Sequence, residues 1–391
     1  MLKVVLPVVI SREVWLGGVN YFRNLLKATN AHSAGRFRVV LLTNEPDQFA
    51  DLDGPYVNIA MCRMLNSSSG PIALGSRILQ RLTHRNPALF SIIRRHCPDV
   101  ISHGHAGVQP LVPSLPWMPD FQHRALPHLF SAREYAGREA NMKIHAKLGH
   151  LLLSSESARK DFEQYYPSMR HVQVHVLRFP AFGPASGQNV RSLADLRERH
   201  SIPERYIYLP NQFWAHKNHG IVIDALTQTR SDATVVCTGT SSDRRNDKYF
   251  SGLMDRVQRA KLESRFRVLG VVEYSDVIAL MHHAAAVLNP SLFEGWSTTV
   301  EEAKAHGKPM ILSSLPVHME QAKERARFFC PEDASALAKL LDEAALRPSM
   351  SPFNTERSAD TAEANQQTFI DQYFQILAKV AATKPKAACV A

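Results

Sequence analysis

Short apolar runs alternate along the chain with longer stretches whose apolar residues recur at helical spacing. In the first half the runs are Leu2–Ile10, Phe37–Leu42, Val57–Ala60, Asp99–Ser102, Leu151–Ser154 and Val172–Leu177. In the second half they are Tyr206–Leu209, Thr234–Cys237, Phe266–Leu269, Ala286–Leu288, Met310–Leu312 and Phe328–Cys330. Apolar runs of strand length separated by helices predict an α/β protein of two doubly wound, Rossmann-like domains with parallel sheets. Pro, Gly and Ser gather in Phe179–Asn189, which reads as the linker. The expected division is residues 1–185 for the first domain and 186–360 for the second. Phe369, Tyr373, Ile376 and Leu377 then mark one face of a helix over 361–382, and the small, basic 383–391 reads as a disordered tail.

Composition bounds this picture. A chain of 391 residues with 45% apolar content is too long for one ordinary core and agrees with two. The five cysteines are scattered without paired metal spacing, the pattern of a reducing compartment. The opening run is broken by Lys3 and Pro7 and is too short for a membrane span or a signal core, so a cytoplasmic protein is expected. Charge separates the halves: residues 1–190 hold 21 Lys and Arg against 12 Asp and Glu, whereas residues 191–391 hold 25 against 24. A basic first half attracts an anionic partner, such as a membrane surface or a lipid-linked phosphate. Nucleic acid is disfavoured, because no basic run is interleaved with aromatic residues.

The densest chemistry lies in Ser291–Pro309, where a strand end, a tight loop and a helix start surround Glu294 and Glu302. Thr298 with Glu301, or Thr299 with Glu302, fits a capping box. Free N–H groups around Gly295, Trp296, Ser297 and Thr298 would then face a ligand beyond the strand's carboxyl end, where a diphosphate binds well. By spacing alone these glutamates are as well explained by capping. Gly17 and Gly18 form a second candidate phosphate loop, after the first strand and before a helix with Tyr21, Phe22, Leu25 and Leu26 on one face. Lys217 follows a strand and precedes a helix opened by Asn218, where an ammonium would reach a diphosphate.

Together these segments resemble the retaining glycosyltransferases of family 4. The matches run in order through Gly17-Gly18, Asp120-Phe-Gln-His123, Ser154–Asp161, Asn211–His219, Gly239, Gly270 and the Glu294-to-Glu302 signature. The resemblance implies the GT-B fold, with two Rossmann-like domains facing across a cleft and a C-terminal helix returning to the first. It implies transfer of a sugar from a nucleoside diphosphate donor to a glycan or lipid-linked acceptor with retention of configuration, without metal or other cofactor, in surface polysaccharide synthesis. Glu302 is expected on the ribose hydroxyls and Glu294 on the donor sugar. Lys217, Gly17, Gly18 and the N–H groups of Gly295 to Ser297 are expected at the diphosphate, and Asp120 and His123 at the reacting sugar or acceptor. Two departures stand out: Gln212 occupies the place of an arginine in the diphosphate clamp, and Pro119 that of a histidine before Asp120. A sugar-nucleotide epimerase on the same fold, or a non-catalytic relative that binds a nucleotide or glycan, remain the alternatives.

Other candidates carry less. His103 and His105 lack a third ligand at metal spacing and read as pocket-lining or structural residues. Asp51-Leu-Asp53 imitates a metal-binding DxD motif but sits in a polar turn. The basic stretch Ser76–Arg85 fits either a helix lying on a membrane, with Ile78, Leu79 and Leu82 inward, or an ordinary core-facing helix.

Overall fold

The computed structural model describes residues 1–9, 16–65, 83–109, 111–181, 190–346 and 355–384, with only the backbone described at residue 16 and over 355–362. Glu13 to Trp15 of the glycine loop, residues 76–82 of the basic stretch, 182–189 of the linker, and the tail from 385 lie outside them. Contacts divide the chain into two units, Met1–Phe121 with Arg133–Phe179 and Ala364–Ala391, and Gln122–Ala132 with Pro180–Glu363.

The first unit holds a five-stranded sheet of β1 (Leu2–Val8), β2 (Phe37–Thr43), β3 (Val57–Met61), β4 (Val100–His103) and β5 (Ser114–Pro116), in the order β3-β2-β1-β4-β5. All its pairings are parallel. A parallel pair, β6 (His150–Leu153) and β7 (Gln173–Val176), adjoins it through the Trp117–Leu152 bridge. Strand β5 does not follow from the apolar pattern: it is three residues long and ends in proline, too little to register as an apolar run. Gly17 and Gly18 lie in the first turn of the Leu16–His32 helix rather than in a loop before it.

The long Thr355–Ala381 helix contributes its second part to this unit. Phe369, Ile370, Tyr373, Leu377 and Val380 are buried along one helical face. Tyr373 donates its hydroxyl to Ser102 Oγ at 2.9 Å, and Arg36 pairs with Asp371 at 2.7 Å. His103 belongs to the same buried network. Its Nε2 lies 2.6 Å from the Tyr21 hydroxyl, and its Nδ1 lies 2.9 Å from Ser102 Oγ. Burial pushes the imidazole down to about 3, so His103 is neutral and structural.

The second unit is a six-stranded parallel sheet of β8 (Ile207–Leu209), β9 (Val235–Cys237), β10 (Phe266–Val268), β11 (Ala286–Asn289), β12 (Met310–Ser313) and β13 (Ala326–Phe329). Its order is β10-β9-β8-β11-β12-β13. Strand alternation separates two cores. Ile207, Leu209 and Leu288 pack with Val222, Leu226, Leu337 and Leu341 on one face. Tyr208, Val287 and Leu312 pack with Leu280, Val300 and Ala303 on the other. Both faces are therefore covered by helices, as the continuous apolar strands require. The chain order reverses between β8 and β11, so the loops leaving these two neighbours diverge to opposite faces and open a crevice at their carboxyl ends.

Candidate functional site

That crevice is where the two loops singled out from the sequence meet. After β8 the chain runs through Gln212 and Trp214 into a single turn, Ala215–Lys217, before the His219–Leu226 helix. After β11 it runs through Ser291 and Glu294 to the Thr298–Ala305 helix. Backbone and side-chain bonds fasten the loops together. Leu292 N–H donates to His216 C=O at 2.8 Å, and the Asn218 amide donates to Pro290 C=O at 3.2 Å and Pro331 C=O at 2.9 Å. Contrary to the expectation from sequence, Asn218 does not cap the following helix with its side chain. It adopts a left-handed conformation, φ 56°, and uses its amide as a brace.

The result is an ion pair: Lys217 Nζ lies 2.6 Å from Glu294 Oε1, with 15% and 10% of the side chains exposed. Ser291 Oγ lies 2.7 Å from the same carboxylate oxygen and from Asn289 Oδ1. Asn289 in turn joins Asn211 at 3.1 Å and Ser297 Oγ at 2.9 Å, so buried polar groups continue from the pair into the sheet. Burial alone would raise the Glu294 carboxyl, but Lys217, His318 and His216 hold it down to about 2. Lys217 is the charge that counts at neutral pH, since burial keeps the His318 imidazole below its ordinary range.

Glu302 differs in kind. Burial pushes its carboxyl up to about 7, and no hydrogen bond engages that carboxyl among the described residues. It lies near Tyr274 and buried Tyr208, and burial foremost, with the Glu302 charge adding to it, raises both hydroxyls. Eight residues of sequence therefore separate an ionised, paired carboxylate from a half-buried, unengaged one.

The helix start departs from the expected capping boxes. Ser297 is the N-cap, its hydroxyl accepting from Val300 N–H at 3.4 Å, and Glu302 falls beyond the first turn. Glu301 pairs with Lys304 at 2.9 Å instead of folding back on the cap. Ser297 N–H is also not available to a ligand, because it donates to Gln321 Oε1 at 3.0 Å. The N–H groups of Thr298 and Thr299 have no partner among the described residues. Gln321 carries no motif, and nothing in the sequence marks its part in the site.

Around the pair, Gly239 at the end of β9 packs so tightly that a Cβ there would lie 2.6 Å from Asn211 O, and its φ is 138°. Gln212 is half-buried with its amide unbonded among the described residues. Asp243 accepts from Ala215 N–H at 3.3 Å and Arg245 N–H at 3.0 Å, tying the loop after β9 to the turn that carries Lys217.

Of the remaining candidates, Asp120 belongs to the first unit, where Arg138 donates to it at 2.7 Å. His123 groups with the second unit and is fully buried against Phe130, over whose ring the Arg245 guanidinium sits at 4.2 Å. Asp51 accepts from Arg23, and Asp53 accepts from Ile59 N–H at 3.1 Å, so Asp51-Leu-Asp53 is spent on local structure. Among the described residues, no group of three or more His, Cys, Asp or Glu side chains is placed to hold a metal ion. No helix there is long and apolar enough to cross a membrane.

Residues 194–367 match the family of glycosyl transferases group 1. A stretch of 131 residues, 33% of this chain, is 26% identical to the O-antigen chain mannosyltransferase RfbU of Salmonella typhimurium and spans about a third (35%) of that protein. Among solved structures, a glycosyltransferase from Rickettsia africae superposes with a TM-score of 0.65 at 14% identity, covering 97% of this chain and 98% of its own. Anabaena HepE, solved in complex with UDP and glucose, gives 0.63 at 18% identity over 98% of each chain. WaaG, a glycosyltransferase involved in lipopolysaccharide biosynthesis, gives 0.59 at 15% over 99% and 100%. The architecture is the GT-B fold, and the stretch that matches the glycosyl transferases group 1 family lies almost wholly in the second unit.

Proposed function

We propose that this chain is a retaining glycosyltransferase that moves a sugar from a nucleoside diphosphate donor to a glycan or lipid-linked acceptor in surface polysaccharide synthesis. The observation that carries the reading is the Lys217–Glu294 pair at the strand-order reversal, beside the open N–H groups of Thr298 and Thr299. An ammonium has three donors. One remains on Glu294 while the others take diphosphate oxygens, so the cation is held in place before the donor arrives. The helix start adds its positive end, and charge accumulating on the leaving diphosphate meets groups already oriented for it. Glu294 presents its second oxygen to hydroxyls of the donor sugar. Glu302, unengaged and beside Tyr274, takes the ribose hydroxyls. Gln212 contributes an uncharged amide where the resemblance leads one to expect a guanidinium.

Under this reading the reaction needs no metal, since Lys217 and the backbone N–H groups supply the charge compensation. Gly17, Gly18, Asp120 and His123 serve the transfer from the first unit and from the 122–132 segment. The basic excess of the first half attracts the anionic acceptor or the cytoplasmic membrane surface that bears it. Retention follows from a leaving phosphate that takes the acceptor proton on the face from which it departs, without a covalent sugar on Glu294.

The test is a panel of sugar nucleotides incubated with the protein with and without lipid-linked acceptors, followed by NMR at the anomeric carbon. Acceptor-dependent release of nucleoside diphosphate with the donor's anomeric configuration in the product is expected. Interconversion of the sugar nucleotide without acceptor would mark an epimerase. Saturable binding without turnover would mark a binding subunit, and an inverted product would overturn the mechanism.

A further inference from the structure

We infer that Gln321 is a positioning residue for the donor site: it sets the backbone of the diphosphate-facing loop without being part of the binding surface. The inference rests on the donor-site reading above. Gln321 lies on the Pro316–Ala322 helix and is 5% exposed. Its Oε1 accepts from Ser297 N–H at 3.0 Å, and its Nε2 donates to Ser297 C=O at 3.0 Å and to Glu301 Oε1 at 3.0 Å.

One amide thereby uses both its hydrogens and its oxygen on the residue that caps the site helix and on the neighbour of Glu302. The arrangement has a single orientation. Turning the amide over would set its oxygen against Ser297 C=O and the Glu301 carboxylate, and its hydrogens against Ser297 N–H. Ser297 is also the residue where the chain turns from the Glu294 loop into the helix, and its hydroxyl both caps Val300 and accepts from Asn289. The direction in which the Thr298 and Thr299 N–H groups point is fixed there. Because Gln321 occupies Ser297 N–H, it also decides which N–H groups remain for an anion.

No shorter or purely apolar side chain reproduces this pattern. A protonated carboxylic acid does so in part, with one oxygen accepting and one O–H donating, whereas an ionised carboxylate offers acceptors only and faces Glu301. Proximity to Glu301 raises the pKa of a glutamate placed at this position and brings the exchange into an accessible pH range.

The experiment uses the full chain as wild type, Gln321→Met and Gln321→Glu, with the dissociation constant of a nucleoside diphosphate read by titration calorimetry between pH 5 and 8 and folding checked by circular dichroism. Gln321→Met is expected to weaken binding about tenfold or more, the consequence of buried groups left unpaired beside the ligand. For Gln321→Glu, the ratio of its affinity to that of wild type is expected to rise as pH falls. This readout would not move if Gln321 only filled space, and it stands even if the methionine variant does not fold. Gln321→Met binding like wild type, or Gln321→Glu giving a ratio independent of pH, would overturn the inference while leaving the donor site in place. A wild type that binds no nucleoside diphosphate would sink both.

Discussion

Lys217 and Glu294 stand 77 residues apart in sequence and 2.6 Å apart in space. Both are mostly buried, so the pair is an element of the fold as much as of the site. Removing one partner leaves a desolvated charge, whereas removing both leaves neutral groups.

Lys217→Ala is therefore expected to lower the unfolding free energy by about 3–5 kcal/mol, and the double variant Lys217→Ala/Glu294→Gln to recover much of that loss. Chemical denaturation at neutral pH measures both. Equal stability of the single variant and wild type would show that the pair is solvated in solution. The pH dependence has a definite sign. Glu294 is depressed, so its contribution is present above the ordinary carboxylate range and is lost as pH falls toward about 2.

Glu302 predicts the opposite trend. Its folded carboxyl is raised to about 7, so the folded state holds its proton longer than the unfolded chain does. Stability from this group is full below about 4.5 and is lost as pH rises through 7. Glu302→Gln, which carries no charge, should be more stable than wild type at pH 8 by on the order of 1–3 kcal/mol, with the difference closing near pH 4.5. The same variant should bind nucleoside diphosphates more weakly, an exchange of stability for function. A melting-temperature difference that does not change with pH would contradict the assignment.

Gly239→Ala should destabilise the second unit by about 1–3 kcal/mol or more. A Cβ there meets the Asn211 carbonyl at 2.6 Å, a backbone atom that cannot rotate away, and φ is 138°. The measurement is thermal unfolding with a bound-donor control. A neutral substitution would mean that the loop after β9 relaxes freely.

How much of this is legible in the sequence depends on the range of the interaction. All the apolar runs taken as strands overlap strands, and the runs of the inner strands are continuous because burial on both faces of a parallel sheet leaves a stretch of apolar residues. Glu294, Glu302 and Lys217 stand out by their positions after strands, and the fold brings Lys217 and Glu294 together. Their pairing is not visible in the sequence, since it depends on β8 and β11 becoming neighbours across the intervening strands. The cap falls at Ser297 rather than at Thr298 or Thr299 because all three are good N-caps, and tertiary bonds from Asn289 and Gln321 select Ser297. Gln321 leaves no signal, as an amide bonded to backbone 24 residues away has no periodicity or spacing to betray it.

Asp120→Asn and His123→Ala are expected to reduce transfer while leaving the donor dissociation constant within about twofold, the pattern of groups that matter in the transition state. A parallel fall in donor affinity would move either residue into the donor site. Chelator treatment should leave most of the activity in place; complete loss with restoration by manganese would reassign the charge compensation to a metal.

The donor site is tested most directly by titrating nucleoside diphosphates into wild type, Lys217→Ala/Glu294→Gln and Glu302→Gln by calorimetry. Wild type should bind one of them saturably at a single site, and each variant should bind that ligand about tenfold or more weakly, as expected when a charged or desolvated hydrogen bond to the ligand is removed. Wild-type affinity in both variants, or no binding by wild type to any nucleoside diphosphate, would contradict the assignment of the β8–β11 crevice as the donor site.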